Sequence, residues 1–188
     1  SPLRESIYKV NAKGKKTKLT KEEGTNSAVF SSGMKYFINT YSSIDTPHTV
    51  TTNDNNGKQL KTLIDNKELK ERLAQFDMPT KEFFTFTTSD GVELNGWMIK
   101  PHDFNASKKY PVILFQYSGP YSQQVTDNWY IGNYGNAMFE SYMAGEGFIM
   151  VCVDGRGTGG RGTEVGKCTY LKIGQYEPAD QVETAKYM

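Results

Sequence analysis

The chain has 188 residues, with 22 Lys and Arg against 21 Asp and Glu. That length suits one ordinary domain or two small ones, and so even a charge balance argues against an electrostatic binder of nucleic acid or membrane surface. The mean hydropathy of −0.61 is offset by 13% aromatic residues, a content that disordered chains do not carry. No apolar run reaches the length of a membrane span. The sequence opens Ser1-Pro2, without a secretory leader or an initiator Met, and is expected to be processed or cut from a longer chain.

Residues 1–65 consist of short β signals at regular spacing. "SIYKVNAKGKKTKLT" reads as two strands around Gly14, "NSAVFSSGMKYFINTYSS" as a pair turned at Ser32-Gly33, and "HTVTTNDNNGKQLKTLID" as a third pair turned at Asn56-Gly57. Asn-Gly between alternating residues is a strong tight-turn signal. Strands recurring every 8–12 residues suggest a β-meander, either the edge of a sandwich or one blade of a propeller. The lysine cluster from Lys13 to Lys21 lacks the interleaved aromatics of a nucleic-acid patch and reads as a solvated hairpin tip. Residues 66–80 break the pattern: Leu69, Leu73 and Phe76 recur at helical spacing among charges, predicting a short amphipathic helix that ends near Pro79 and links two halves.

Residues 81–188 alternate strand and helix. "KEFFTFTTSDGVELNGWMIKP" is a hairpin turned at Asp90-Gly91. "YPVILFQY" is a nearly continuous apolar run, the mark of a strand covered on both faces. Helical spacing follows from Trp129 to Tyr142 and ends at Gly145, then "GFIMVCVD" supplies a second buried strand. "EPADQVETAKYM" opens a helix, with Pro178 and carboxylates in its first turn. The predicted fold class is α/β: a partial, mostly parallel sheet preceded by a β-meander. The two cysteines are no disulfide framework. Cys152 reads as a core residue, and whether it pairs with Cys168 stays open.

In open α/β sheets, chemistry gathers beyond the carboxyl ends of the strands. Two loops are expected there, Tyr117-Ser118-Gly119-Pro120 and "DGRGTGGRG" from Asp154 to Gly162. In the first, Tyr117 is placed at the last position of its strand, where its hydroxyl is either a donor to a developing oxyanion or simply packed under a loop. In the second, the glycines invite a phosphate-loop reading, but the lysine of a Walker loop is missing and the G-x-G-x-x-G match is loose. No helix is predicted directly after it. A close-packed loop with Asp154 and Arg156 in local ion pairing fits better. His48 and His102 stand in loops beside prolines, without carboxylate or Cys at ligand spacing, so no metal site is predicted. A G-x-S-x-G nucleophile elbow is absent.

The ordered string of "DGV-x-L", "WMIKP", "YPVILFQYSGPYSQ", "GFIMVCVDGRGTGGRG" and "EPADQ" resembles the prolyl oligopeptidase family of serine peptidases, with "YSGPYSQ" closest to its dipeptidyl peptidase branch. "KLT", "KYFINTYSS" and "GKQLKTLIDN" are similar to that family's last propeller blade. The resemblance spans essentially the whole chain and implies an α/β-hydrolase domain, truncated before its nucleophile, behind a blade. It implies that Tyr117 is the side-chain half of an oxyanion hole, that no cofactor is used, and that the substrate is a peptide losing its N-terminal dipeptide. The Ser, Asp and His of the triad would lie beyond Met188, so these residues alone are expected to be inactive. An oligopeptidase or acylaminoacyl peptidase of the same family, or a non-enzymatic protein-binding homologue, would look alike here. The resemblance further implies a periplasmic or secreted location and a homodimeric whole protein. It also leaves strand 111–117 without one neighbour, an open edge through which the chain is expected to self-associate.

Overall fold

A computed structural model of the chain describes residues 1–129 and 136–188. They divide into two units: Ser1–Asp77 with a segment that begins at Thr126, and Met78–Val125 with the remainder of the chain to Met188.

In the first unit a small hairpin comes first, β1 (Tyr8–Val10) with β2 (Lys16–Lys18). Its turn is closed by the Asn11 side chain, whose Oδ1 accepts the N–H groups of Lys13 at 3.0 Å and Lys15 at 2.9 Å, and its lysines are exposed. Four strands then run as an antiparallel meander: β3 (Thr25–Phe30), β4 (Tyr36–Ser43), β5 (Thr46–Asp54) and β6 (Gln59–Ile64), in that order across the sheet. At Asn56-Gly57 the Asp54 carboxylate accepts the N–H groups of Asn56 and Lys58, both at 2.9 Å, and Gly57 takes the φ of +85° that the turn needs. His48 lies inside β5 rather than in a loop. Pro47 is the second residue of that strand and lies in its bulge, where Pro47 and His48 face Ser42 alone and a missing N–H is tolerated.

The pleat turns Phe37, Asn39, Asn26, Thr51 and Asn53 to a covered face and leaves Val29, Tyr36, Ile38 and Ile64 exposed. The buried amides bond one another: Asn39 Nδ2 donates to Asn26 Oδ1 at 3.0 Å, and Asn26 Nδ2 to the Glu5 carbonyl at 3.0 Å. The expected helix forms as α1 (Lys67–Leu73), but it stops before Phe76 and buries none of its residues. Its apolar stripe is therefore not a packing face: Leu69 and Phe76 are both exposed.

The segment from Thr126 is held in this unit by Asp127, which is buried. Its carboxylate accepts Arg4 Nε at 2.8 Å and the Ile44 N–H at 3.1 Å. Its N–H donates to the Leu3 carbonyl at 2.7 Å, and the Thr25 hydroxyl donates to its carbonyl at 2.9 Å.

The second unit is built on a mixed sheet of β7 (Lys81–Thr87), β8 (Glu93–Ile99), β9 (Val112–Phe115) and β10 (Ile149–Asp154), ordered β7-β8-β10-β9. β10 is antiparallel to β8 and parallel to β9. Every residue of β10 is buried, and Leu94, Val151, Val153, Ile149 and Phe86 form the core around it. Gly96 lets β7 and β8 close up: a Cβ there would stand 2.4 Å from the Phe84 ring. Helices α2 (Asn136–Gly145), α3 (Thr163–Lys167) and α4 (Tyr176–Tyr187) complete the unit. α4 docks through Tyr187, whose ring stacks on Phe84 and Phe86 with centroids 5.7 and 4.6 Å away.

Two expectations are corrected. "YPVILFQY" is not covered on both faces: β9 is the edge strand, with Val112 exposed and Ile113 to Phe115 half-buried. It also ends at Phe115, so Gln116 and Tyr117 lie beyond the strand. Trp129 is not helical and belongs with the first unit. The start expected for α2 otherwise falls on residues 130–135, outside the described residues.

Candidate active site

β9 and β10 are parallel, so their carboxyl ends point the same way, and the two loops singled out in the sequence leave from there. They interlock. The Tyr121 N–H donates to the Gly157 carbonyl at 2.9 Å, and the Gly159 N–H donates to the Ser122 carbonyl at 2.8 Å. The approach is too close for side chains: a Cβ on Gly159 would stand 2.8 Å from the Tyr121 carbonyl oxygen, and one on Gly166 would stand 2.5 Å from the Tyr121 ring. The glycines therefore serve loop-to-loop contact rather than a phosphate. A helix does begin directly after them, contrary to the sequence expectation, but α3 has only five residues.

Asp154 and Arg156 do not pair with each other. Asp154 closes β10 and turns its buried carboxylate to the other loop, accepting the N–H groups of Gln124 at 3.0 Å and Val125 at 2.8 Å. Burial pushes this carboxyl above its ordinary value, and the two N–H donors pull it back. Arg156 instead grips Asp180 on α4, with Nη2 at 2.6 Å and Nε at 3.0 Å from Oδ1. Its Nη1 reaches Asp90 in the β7–β8 turn at 2.8 Å, and its guanidinium lies 4.7 Å from the centre of the Tyr176 ring. The hydrogen bonds that Arg156 donates to Asp180 hold the guanidinium charge even more firmly than usual. One arginine thus ties a loop, a helix and a hairpin together.

Tyr117 stands on the outer side of this interlock, 60% exposed. Among the described residues its hydroxyl makes no hydrogen bond, so its donor is available to an incoming group. The chain after it folds into a turn closed by the Ser122 N–H on the Gly119 carbonyl at 2.9 Å, with Pro120 second and Tyr121 third at φ +59°. Beside the turn an apolar cleft of about 730 Å³ is lined by Pro120, Tyr121, Tyr170, Leu171 and Ile173, with Lys167. Asp154, Ser122 and Asp180 lie within the quoted motifs, but their roles do not follow from them because their partners are backbone groups or lie far away in sequence.

Among the described residues no group of three or more His, Cys, Asp or Glu side chains could hold a metal. Both cysteines are free thiols: Cys152 is buried in β10, and Cys168 sits just after α3 with its Sγ on the Val165 carbonyl at 3.0 Å.

Two family models match the chain. The N-terminal region of dipeptidyl peptidase IV matches residues 1–48, and the prolyl oligopeptidase family matches residues 137–188. A probable dipeptidyl-aminopeptidase B of Sclerotinia sclerotiorum is 38% identical over 99% of the chain and 20% of its own length. One from Chaetomium globosum is 37% identical over the same shares. The crystal structure of Porphyromonas gingivalis dipeptidyl peptidase 4 is 47% identical with a TM-score of 0.92, over 99% of this chain and 26% of that one. The chain therefore spans about a fifth of the length of these curated relatives and about a quarter of that structure.

Proposed function

This chain belongs to the prolyl oligopeptidase family, and from that premise we propose that it is part of a serine dipeptidyl peptidase in which Tyr117 donates a hydrogen bond to the oxyanion. The observation that carries the reading is the exposed phenol of Tyr117, without a hydrogen bond among the described residues, beyond the carboxyl end of β9 and just before a turn locked to the neighbouring loop. Attack of a serine on a peptide carbonyl moves negative charge onto the carbonyl oxygen. A donor already in place at that oxygen lowers the barrier without reorganising when the charge appears. The apolar cleft beside Tyr121 is the kind of surface a peptide site uses.

These 188 residues contain no G-x-S-x-G elbow, so by themselves they are expected not to hydrolyse peptides. Among the described residues the edge strand β9 has no second neighbour along Val112–Phe115, and through it the chain is proposed to self-associate when nothing else covers it. A homodimeric whole protein and a periplasmic or secreted location are proposed from the family alone.

The test compares Gly-Pro-p-nitroanilide with the same substrate acylated on its amino terminus, using the whole protein. Release of p-nitroaniline from the free-amine substrate alone is expected. Equal or better cleavage of the acylated one would mean an oligopeptidase or acylaminoacyl peptidase. No cleavage of either would point to a protein-binding homologue.

A further inference from the structure

The turn after Tyr117 carries a bond that its closure does not require. The Ser122 hydroxyl donates back into the turn, 2.6 Å from the Gly119 carbonyl and 3.2 Å from the Tyr117 carbonyl. It thus draws together the two ends of the stretch that presents the phenol. Ser122 is itself braced, because its carbonyl accepts the Gly159 N–H at 2.8 Å. Next to it Tyr121 adopts φ +59°, a conformation that is strained for a non-glycine residue and persists only where its surroundings dictate it. Those surroundings are visible: the Tyr121 N–H on the Gly157 carbonyl, and the Tyr121 ring against Gly166. Two residues on, the Asp154 carboxylate holds the Gln124 and Val125 N–H groups. The stretch is therefore fixed from Tyr121 onward, and the Ser122 hydroxyl is the side chain that passes this fixity back to the Tyr117 carbonyl.

We infer that Ser122 is a positioning residue, whose hydroxyl holds the backbone from which the Tyr117 phenol is aimed. The inference rests on the reading of Tyr117 as oxyanion donor. Ser122 touches no reacting atom, and its effect passes wholly through Tyr117. Small displacements of a donor are costly, since a shift of about 1 Å can cost on the order of 10²-fold in rate.

The experiment measures kcat and KM for Gly-Pro-p-nitroanilide with the whole protein and with Ser122→Ala, Ser122→Thr, Tyr117→Phe and the Tyr117→Phe/Ser122→Ala double variant. Ser122→Ala is expected to lower kcat on the order of 10-fold with KM within about two-fold. Ser122→Thr, which keeps the hydroxyl, recovers most of the loss. In the Tyr117→Phe background, Ser122→Ala adds nothing, because the group it positions is gone. An equal loss of kcat in both backgrounds, or a loss confined to KM, overturns the inference. If Tyr117→Phe or the substrate itself shows no effect, the oxyanion reading fails separately. The crystal structure of Ser122→Ala then decides: a displaced Tyr117 supports the positioning role, and an unmoved Tyr117 overturns it.

Discussion

The two sheets use the same alternation of side chains to opposite ends. In the second unit Leu94, Ile99 and Val151 are fully buried and every residue of β10 is buried. In the first unit the meander turns Asn26 and Asn39 inward beside Phe37 and leaves other apolar side chains outward, with Val29 70% exposed. The second unit carries its own hydrophobic core. The covered face of the first is held by hydrogen bonds among its amides, with Asn39 Oδ1 left without a partner among the described residues, and its apolar face is open among the described residues. Alternation reveals that a strand has two faces, but what each face meets decides which one is buried.

That contrast can be broken by substitution, with unfolding of the 188-residue chain in denaturant as the readout. Leu94→Ala removes a fully buried side chain and is expected to cost about 2–5 kcal/mol. Asn39→Ala strips the Asn26 Oδ1 of its donor and is expected to cost about 1–3 kcal/mol, the price of one orphaned buried acceptor. Val29→Thr on the open face is expected to stay within about 0.5 kcal/mol. A loss at Val29 as large as that at Asn39 would mean that this face is covered in solution.

A smaller effect distinguishes α4 from the meander by its acid dependence. The Lys186 ammonium, and then the Ser89 N–H, hold the Glu183 carboxyl down to about 2. The folded value lies below the unfolded one, so Glu183 contributes stability that is present above 4.5 and lost as pH falls through about 2. Glu183→Gln is expected to flatten the fall in stability across that window. An unchanged acid limb would show that these contacts do not persist in solution.

Much of the fold was legible because its signals are local. Asn56-Gly57 and Asp90-Gly91 turn where expected, and "IMVCVD" is a buried strand. The prolyl oligopeptidase resemblance, read from the loop motifs, agrees with both family models. Features set by distant partners were not legible. β9 stops short of Tyr117, and α3 follows the glycine loop at once. Asp127 carries its segment into the first unit by bonding Leu3, Arg4, Thr25 and Ile44, none of which its neighbours in sequence announce. The pairing imagined between Asp154 and Arg156 failed for the same reason. Each found a stronger partner across the fold, in backbone N–H groups for Asp154 and in Asp180 and Asp90 for Arg156.

The central claim concerns the phenol of Tyr117, and Tyr117→Phe in the whole protein tests it most directly. The exposed side chain packs little, so the fold should not change. The account predicts that kcat for Gly-Pro-p-nitroanilide falls by about 10²–10³-fold while KM stays nearly constant, as for loss of one oxyanion donor. A whole protein that cleaves the substrate equally well with phenylalanine at position 117 would contradict it.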